Sequence, residues 1–170
     1  MARKRQDSLR DLDVPWITKD GYLDVTKLPI DSTLAQAVGN NEEEFRSACL
    51  MLSSMAYAGR GEAGVFLYGL LTFCGDDRAR KELVVGALGY VQTWQSASLL
   101  FDELDKTESS NSTRGYINTV LKALEGFPSE LVVDGFRNLL SDSKWSYRMK
   151  RKFREILGEI EERSRRETTE

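Results

Sequence analysis

Three stretches of the chain place large apolar side chains at matching positions. They are residues 55–71, 88–104 and 124–140. The stretches align without gaps at intervals of 33 and then 36 residues, and Leu67, Leu100 and Phe136 share one column of the alignment. The neighbouring apolar columns lie three and four residues away, which is the spacing of one face of a helix. We therefore expect these columns to form the buried core of a helical repeat.

A turn signal interrupts each stretch near its middle, in the sequences AGRGE, VQTWQ and FPSE. Each repeat is therefore predicted to consist of two helices joined by a turn. A period of this length is typical of a helical solenoid, because a single helix pair cannot bury its apolar face alone. The predicted helices span residues 42–58, 62–74, 77–92, 94–106, 112–126, 129–141 and 144–163.

Signals for the start of a helix support these boundaries. Three consecutive glutamates open the first predicted helix at Glu42, where carboxylates suit the positive end of the helix dipole. Asp76 and Asp77 precede the third helix, and a run of Ser and Thr residues precedes Arg114. Ser143 is predicted to cap the last helix.

Two segments of this repeat, residues 76–105 and 112–157, resemble HEAT repeats, and the likeness covers roughly residues 42–160. In that family an acidic loop precedes a first helix that carries an Arg, and an Ala-Leu pair lies near the end of the helix. The matching residues are Asp76 with Arg80, Asp142 with Arg148, Ala87-Leu88 and Ala123-Leu124. Arg114 also fits, although its loop is longer and rich in Ser. Tetratricopeptide repeats have a similar period and are the alternative, but their small-residue pattern and closing proline are missing here.

The resemblance implies an all-α fold, a short right-handed α-α superhelix of about three helix pairs plus a terminal helix. HEAT proteins share no active site, and they mostly act as scaffolds, adaptors or assembly factors. We therefore expect a protein-protein interaction scaffold that presents a helical groove to a macromolecular partner.

The first part of the chain does not repeat. Asp20-Gly21, between two short alternating runs, is a hairpin signal, and an irregular arm that caps the solenoid is an equally weighted alternative. Residues 31–39 are predicted to form a short helix that ends at Gly39. The predicted division is an arm over 1–41, a solenoid over 42–163 and a disordered tail over 164–170.

The chain contains no histidine, which removes the usual general base near neutral pH and the commonest metal ligand. With only two cysteines, a typical zinc site is nearly excluded as well. We interpret Asp102, Glu103 and Asp105, at the end of a predicted helix, as a solvated rim. We therefore expect a protein without catalytic activity, cofactor or metal.

The two cysteines, Cys49 and Cys74, lie within apolar helical patterns. We expect them to be small buried hydrophobic residues in a reducing compartment. No apolar run reaches the length that crosses a bilayer. The basic N-terminus is followed by charge rather than by the apolar stretch of a secretory signal. These observations predict a cytoplasmic protein that binds no membrane.

The last predicted helix carries the clearest charge feature. Residues 144–157 contain six cations and one acid, whereas the whole chain has a net charge of −3. One interpretation is a footprint for phosphate or for an acidic partner, which makes a nucleic-acid-binding module the alternative function. The interpretation that we favour is the solvated face of a capping helix, where cations near a C-terminus also suit the dipole. The buried stripe of that helix would comprise Trp145, Met149, Phe153 and Ile156.

Trp94 lies in the predicted turn between paired helices. An exposed Trp is a typical interface anchor, and a Trp folded back onto its neighbours is the equally weighted alternative. Tyr57 and Tyr90 align with each other and are interpreted as packing residues. A protein partner is expected, with nucleic acid as the alternative. The candidate partner-binding residues are Trp94, Arg148, Arg151, Lys152 and Arg154.

Overall fold

The computed structural model describes residues 14–167, and this part of the chain is all-α, as predicted. It contains eight helices and no strand apart from one isolated antiparallel bridge between Ile17 and Leu23. None of the described helices is long and apolar enough to cross a membrane. The helices are α1 (Ile30–Ala37), α2 (Glu42–Tyr57), α3 (Gly61–Phe73), α4 (Arg78–Leu88), α5 (Trp94–Lys106), α6 (Arg114–Glu125), α7 (Ser129–Ser141) and α8 (Tyr147–Glu167).

The observed helices match the predicted ones closely, with the largest differences at helix ends. α4 ends at Leu88, four residues before its predicted end, and α8 begins at Tyr147 rather than at residue 144. α8 also continues to Glu167, so residues 164–167 of the predicted tail are helical. The rest of that tail and the basic N-terminus lie outside the described residues.

The chain divides into two compact units, Met1–Phe73 and Cys74–Glu170. This boundary falls within the predicted solenoid, between its first and second helix pairs. The stacking of the first pair on the second and the right-handed superhelix therefore stay predictions.

The described part of the first unit begins with a tight turn rather than a regular hairpin. Gly21 adopts a left-handed conformation with φ of 80°, which glycine reaches without steric cost. The amide of Thr18 donates to the carbonyl oxygen of Tyr22 at 2.8 Å, and the amide of Asp24 donates to that of Trp16 at 2.8 Å. The predicted Asp20-Gly21 turn is thus present, but its flanks form only the single bridge.

Helices α1, α2 and α3 pack on one another within the first unit. The turn between α2 and α3 is a Schellman motif, in which Gly59 has φ of 96° and the amide of Arg60 donates to the carbonyl oxygen of Met55. The Arg60 guanidinium also donates to the carbonyl oxygen of Leu28 at 2.6 Å. This contact ties the N-terminal arm to the helices of the unit.

The second unit packs as a helical repeat. α4 packs on α6 and α6 on α8, while α5 packs on α7, so helices in equivalent positions of successive repeats are neighbours. Four hydrogen bonds join residues that lie 34 or 36 positions apart, which is close to the period of the sequence repeat. They run from Arg78 to Ser112, from Gln92 to Gly126, from Lys152 to Asn118 and from Arg163 to Phe127.

The predicted apolar columns form the core. Leu67, Leu100 and Phe136 are all fully buried, as the alignment predicted. Cys49 and Cys74 are also buried and form no disulfide. Trp145, Phe153 and Ile156 of the predicted stripe are buried, and the Phe153 ring packs edge-on against Trp145 with their centroids 5.2 Å apart. Met149, the fourth residue of that stripe, is only half-buried. Burial of these columns supplies the main driving force for the fold.

Helix caps differ from the predictions at some positions. Asp77 caps α4 by accepting from the amide of Arg80, as predicted. The last helix is capped by Ser146 rather than by Ser143, because α8 begins three residues later than expected. At α6, Thr113 occupies the cap position but makes no capping hydrogen bond with its side chain. Its hydroxyl donates instead to the carbonyl oxygen of Glu108.

Candidate functional site

The second unit carries a groove of about 630 Å³ between α5 and α7, which we name the acidic groove. Among its described lining residues there is no Lys or Arg. Five carboxylates line it: Asp102, Asp105, Glu130, Asp134 and Asp142. The groove therefore presents a surface of strongly negative potential to solvent.

The floor of the acidic groove depends on the small size of Gly135. The Phe101 ring lies across this glycine, and a Cβ atom added there would lie 2.3 Å from two of the ring atoms. The same ring packs edge-on against Phe136, with ring centroids 5.6 Å apart. An aromatic surface thus lies among the carboxylates, and α7 approaches Phe101 closely because residue 135 has no side chain.

Trp94 is the first residue of α5 and lines the acidic groove. Its side chain is 64% exposed, so it does not fold back into the core. Tyr57 and Tyr90, which were expected to pack, are 83% and 65% exposed. That expectation was wrong because Tyr57 is the last residue of its helix and Tyr90 lies beyond the end of α4.

The carboxylates of the acidic groove are only partly neutralised. Asp105 accepts from Lys144 Nζ at 3.4 Å, and Asp134 pairs with Arg137 at 3.2 Å. Lys144 also donates to the carbonyl oxygen of Asp105 at 2.8 Å, so it caps the C-terminal end of α5. Asp102 has no cationic partner in the described part of the chain. The groove can therefore accept additional positive charge from a ligand.

A second cavity of the same unit, about 610 Å³ in volume, lies between α6 and the first turns of α8. We name it the cationic cleft. Four cations line it: Arg114, Arg148, Arg151 and Lys152. Three serines and two asparagines add neutral polar groups, and one carboxylate, that of Glu155, is present. Three of the four candidate residues of the basic helix are thus brought together with an Arg of the preceding repeat.

Two of the four cations of the cationic cleft interact with neutral amide groups. Arg151 pairs with Glu155 at 3.4 Å. Arg114 donates to the amide oxygen of Asn111 at 2.8 Å, and Lys152 donates to that of Asn118 at 2.6 Å. Arg148 is exposed and has no carboxylate partner among residues 14–167. Three of the four positive charges are therefore not balanced by a carboxylate.

Arg154 is exposed on α8 and does not line the cationic cleft. The structure therefore separates it from the other three candidates of the basic run. The interpretation that these cations suit the C-terminal end of the helix dipole was wrong, because Arg148 is the second residue of α8. At that end of a helix, positive charge opposes the dipole.

Glu103 is buried, and its interpretation as part of a solvated rim was wrong. Its carboxylate accepts from the Tyr116 hydroxyl at 2.7 Å and from Lys81 Nζ at 3.3 Å, so it links α4, α5 and α6. Asp102 and Glu103 are adjacent on α5 but face different sides of the helix. Asp102 is exposed, whereas Glu103 faces α4 and α6. Burial raises the pKa of Tyr116 above its usual range, and the hydrogen bond to Glu103 raises this pKa further.

Two parts of these surfaces were missed by sequence reasoning. Glu130 and Asp134 lie four residues apart on α7, a spacing that places both on one helix face, and this signal could have been read. Arg114 and Arg148 lie one repeat apart, at equivalent positions of two neighbouring helices. This spacing could also have indicated that both arginines line one surface. No group of acidic or cysteine side chains among the described residues could hold a metal ion.

No protein-family model, curated protein or solved structure matched this chain in the comparisons. The resemblance to HEAT repeats therefore stays a prediction from the sequence.

Proposed function

We propose that this chain is a non-catalytic protein-interaction module of the HEAT-like solenoid type. It binds a basic segment of a protein partner in the acidic groove, with Trp94 as an apolar anchor. The observation that carries the proposal is one groove whose described lining contains five carboxylates and an exposed Trp but no Lys or Arg, with Lys144 and Arg137 pairing two of the carboxylates from outside that lining.

Charge and shape both support a basic peptide as the occupant. Complementary potential accelerates association and selects among partners. An exposed Trp at the edge of a groove is a typical residue for a binding hot spot, because it buries a large apolar area on contact. The Phe101 ring on the floor supplies a second apolar contact for a Leu or the stem of a Lys.

Nucleic-acid binding through α8, the alternative from the sequence, has weaker support. The cations of α8 divide between the cationic cleft and an exposed surface outside it, where Arg154 lies. The lining of the cleft includes no aromatic side chain on which a base could stack. The acidic groove of the same unit would also repel a phosphate backbone.

The proposal is tested by fluorescence anisotropy with a labelled peptide of Lys, Arg and Leu residues. Its control is an acidic twin in which each Lys and Arg is replaced by Glu. We expect the basic peptide to bind and the acidic twin not to bind. Trp94→Ala should weaken binding about fivefold or more, the effect of losing roughly 1 kcal/mol.

Two matched controls separate the groove from general surface effects. Tyr147→Ala removes another exposed aromatic side chain of the same unit that does not line the groove. Asp102→Lys is compared with Glu108→Lys, which makes the same charge change outside the groove. Equal losses from Asp102→Lys and Glu108→Lys, or full binding by Trp94→Ala, would contradict the proposal.

A further inference from the structure

The cationic cleft has the composition of an anion site. Arg114 contributes from α6, and Arg148, Arg151 and Lys152 contribute from α8, so positive charge enters from two helices. Arginine presents a planar fork of donors that matches the oxygens of phosphate. The serine hydroxyls of the lining supply further donors.

The hydrogen bonds of the cleft hold its cations in place without neutralising them. Asn111 and Asn118 accept from Arg114 and Lys152 through neutral amide oxygens. These contacts fix the cationic side chains before a ligand binds, which reduces the entropic cost of binding. The one carboxylate, Glu155, pairs with Arg151 and leaves the other three charges to a ligand.

The cationic cleft includes residues from the N-terminal ends of α6 and α8, where the helix dipole is positive. Without a bound anion, this dipole makes the clustered positive charges less favourable. Arg114 is the first residue of α6 and Arg148 the second of α8, and neither helix has an acidic residue in its first turn. Carboxylates usually occupy these positions because the dipole is positive there. A bound anion would interact favourably with both arginines and with both helix ends.

We propose that the cationic cleft binds a phosphate monoester, either free phosphate or a phosphorylated side chain. A dianion with three oxygens can contact cations from both helices at once, and it offers one more acceptor oxygen and more negative charge than a carboxylate. The lining offers Ile117 and Met149 as apolar contacts and no aromatic ring for a base. This composition favours a compact phosphate group over a nucleic-acid strand.

The test is isothermal titration of the full chain with three probes. They are inorganic phosphate, a phosphoserine-containing peptide and its unphosphorylated twin. We expect both phosphate probes to bind and the unphosphorylated twin not to bind. Binding of the phosphopeptide at least tenfold tighter than phosphate would identify a phosphorylated side chain as the source, and equal affinities would identify free phosphate.

Variants of two arginines on α8 locate the binding. Arg148→Ala should weaken phosphate binding about tenfold or more, because it removes a charge-assisted contact. Arg154→Ala is the matched control, since it removes an exposed Arg from the same helix outside the cleft, and it should change affinity less than about twofold. Circular dichroism of each variant checks that α8 remains folded.

Three results would overturn this inference. One is equal weakening of phosphate binding by Arg148→Ala and Arg154→Ala, which would indicate only a nonspecific attraction to the positive charge of α8. Another is equal binding of the phosphorylated and unphosphorylated peptides. The third is preferential binding of a short single-stranded DNA with steep salt dependence, which would indicate a nucleic-acid surface. None of these results depends on the acidic groove, so they do not test the proposed protein-binding function.

Discussion

The acidic groove and the cationic cleft belong to the same unit and arise from the same repeat, but their chemistry is opposite. The groove lies between α5 and α7, the second helices of successive pairs, and carries carboxylates with two aromatic rings. The cleft lies between α6 and α8, the first helix of a pair and the terminal helix, and carries cations with no aromatic ring. The repeat therefore sets where helices lie, and the residues outside its apolar columns set what each surface binds.

The largest change that we predict disrupts the core of the second unit, to which both surfaces belong. Leu100 is fully buried on α5, in the column that it shares with Phe136. Leu100→Ala should lower the free energy of unfolding by about 2–5 kcal/mol, because it leaves a cavity. Urea unfolding measures this change. Leu50→Ala, at an exposed leucine of α2, is the control and should change the free energy of unfolding by about 0.5 kcal/mol or less. A similarly small effect of Leu100→Ala would mean that this column is not core.

A second prediction concerns the bond that joins a helix of the groove to a helix of the cleft. The Tyr116 hydroxyl on α6 donates to the Glu103 carboxylate on α5, and both side chains are buried. Tyr116→Phe should lower the free energy of unfolding by about 1–3 kcal/mol, because Glu103 loses a donor away from water. An unchanged free energy of unfolding would show that Lys81 and Lys106 satisfy the carboxylate without Tyr116.

The same tyrosine predicts how stability depends on alkaline pH. Its pKa is raised in the folded state, whereas an unfolded tyrosine has a pKa of about 10. The stability from this difference is present below pH of about 10. It is lost as pH rises further, by about 1.4 kcal/mol per unit, because only the unfolded chain releases the proton. Tyr116→Phe should lack this part of the pH dependence, and equal slopes for both proteins would contradict the assignment.

The smallest predicted effect on stability also distinguishes ligand binding in the acidic groove from ligand binding in the cationic cleft. Gly135→Ala brings a methyl group against the Phe101 ring on the floor of the groove, so it should lower the free energy of unfolding by about 1 kcal/mol. Gly158→Ala on α8 meets no atom within 4 Å and should raise it by about 0.5–1 kcal/mol. Thermal unfolding measures both. Gly135→Ala should also weaken binding of the basic peptide without changing phosphate binding. Weaker phosphate binding with unchanged peptide binding would contradict the assignment of the peptide to the acidic groove and of phosphate to the cationic cleft.

Much of the fold could be predicted because the repeat encodes it in apolar spacing. Leu67, Leu100 and Phe136 were identified as core from their shared column alone, and helix positions followed from that alignment. The acidic groove was not identified, because Asp102 and Asp134 lie on different helices outside the columns. The burial of Glu103 could not be read from the sequence either, since its donor Tyr116 belongs to the next repeat.

The sequence located the basic helix but could not distinguish its cations. Arg151 and Arg154 are both exposed residues of α8, and they are three positions apart. Only the rotation of α8 against α6 decides which of them lines a cleft, and that rotation is set by the burial of Phe153 and Ile156. Sequence periodicity gives the relative angles of side chains around one helix, but tertiary packing decides which angle faces a neighbour.

The buried bond between Glu103 and Tyr116 also bears on errors during folding. Apolar columns that repeat along a chain are nearly interchangeable, so a helix of one repeat can collapse onto the wrong neighbour at little cost in apolar contacts. Such a misfolded arrangement would bury the Glu103 carboxylate without its donors, which is strongly unfavourable. We therefore expect the bond between Glu103 and Tyr116 to favour one order of helices among several similar ones.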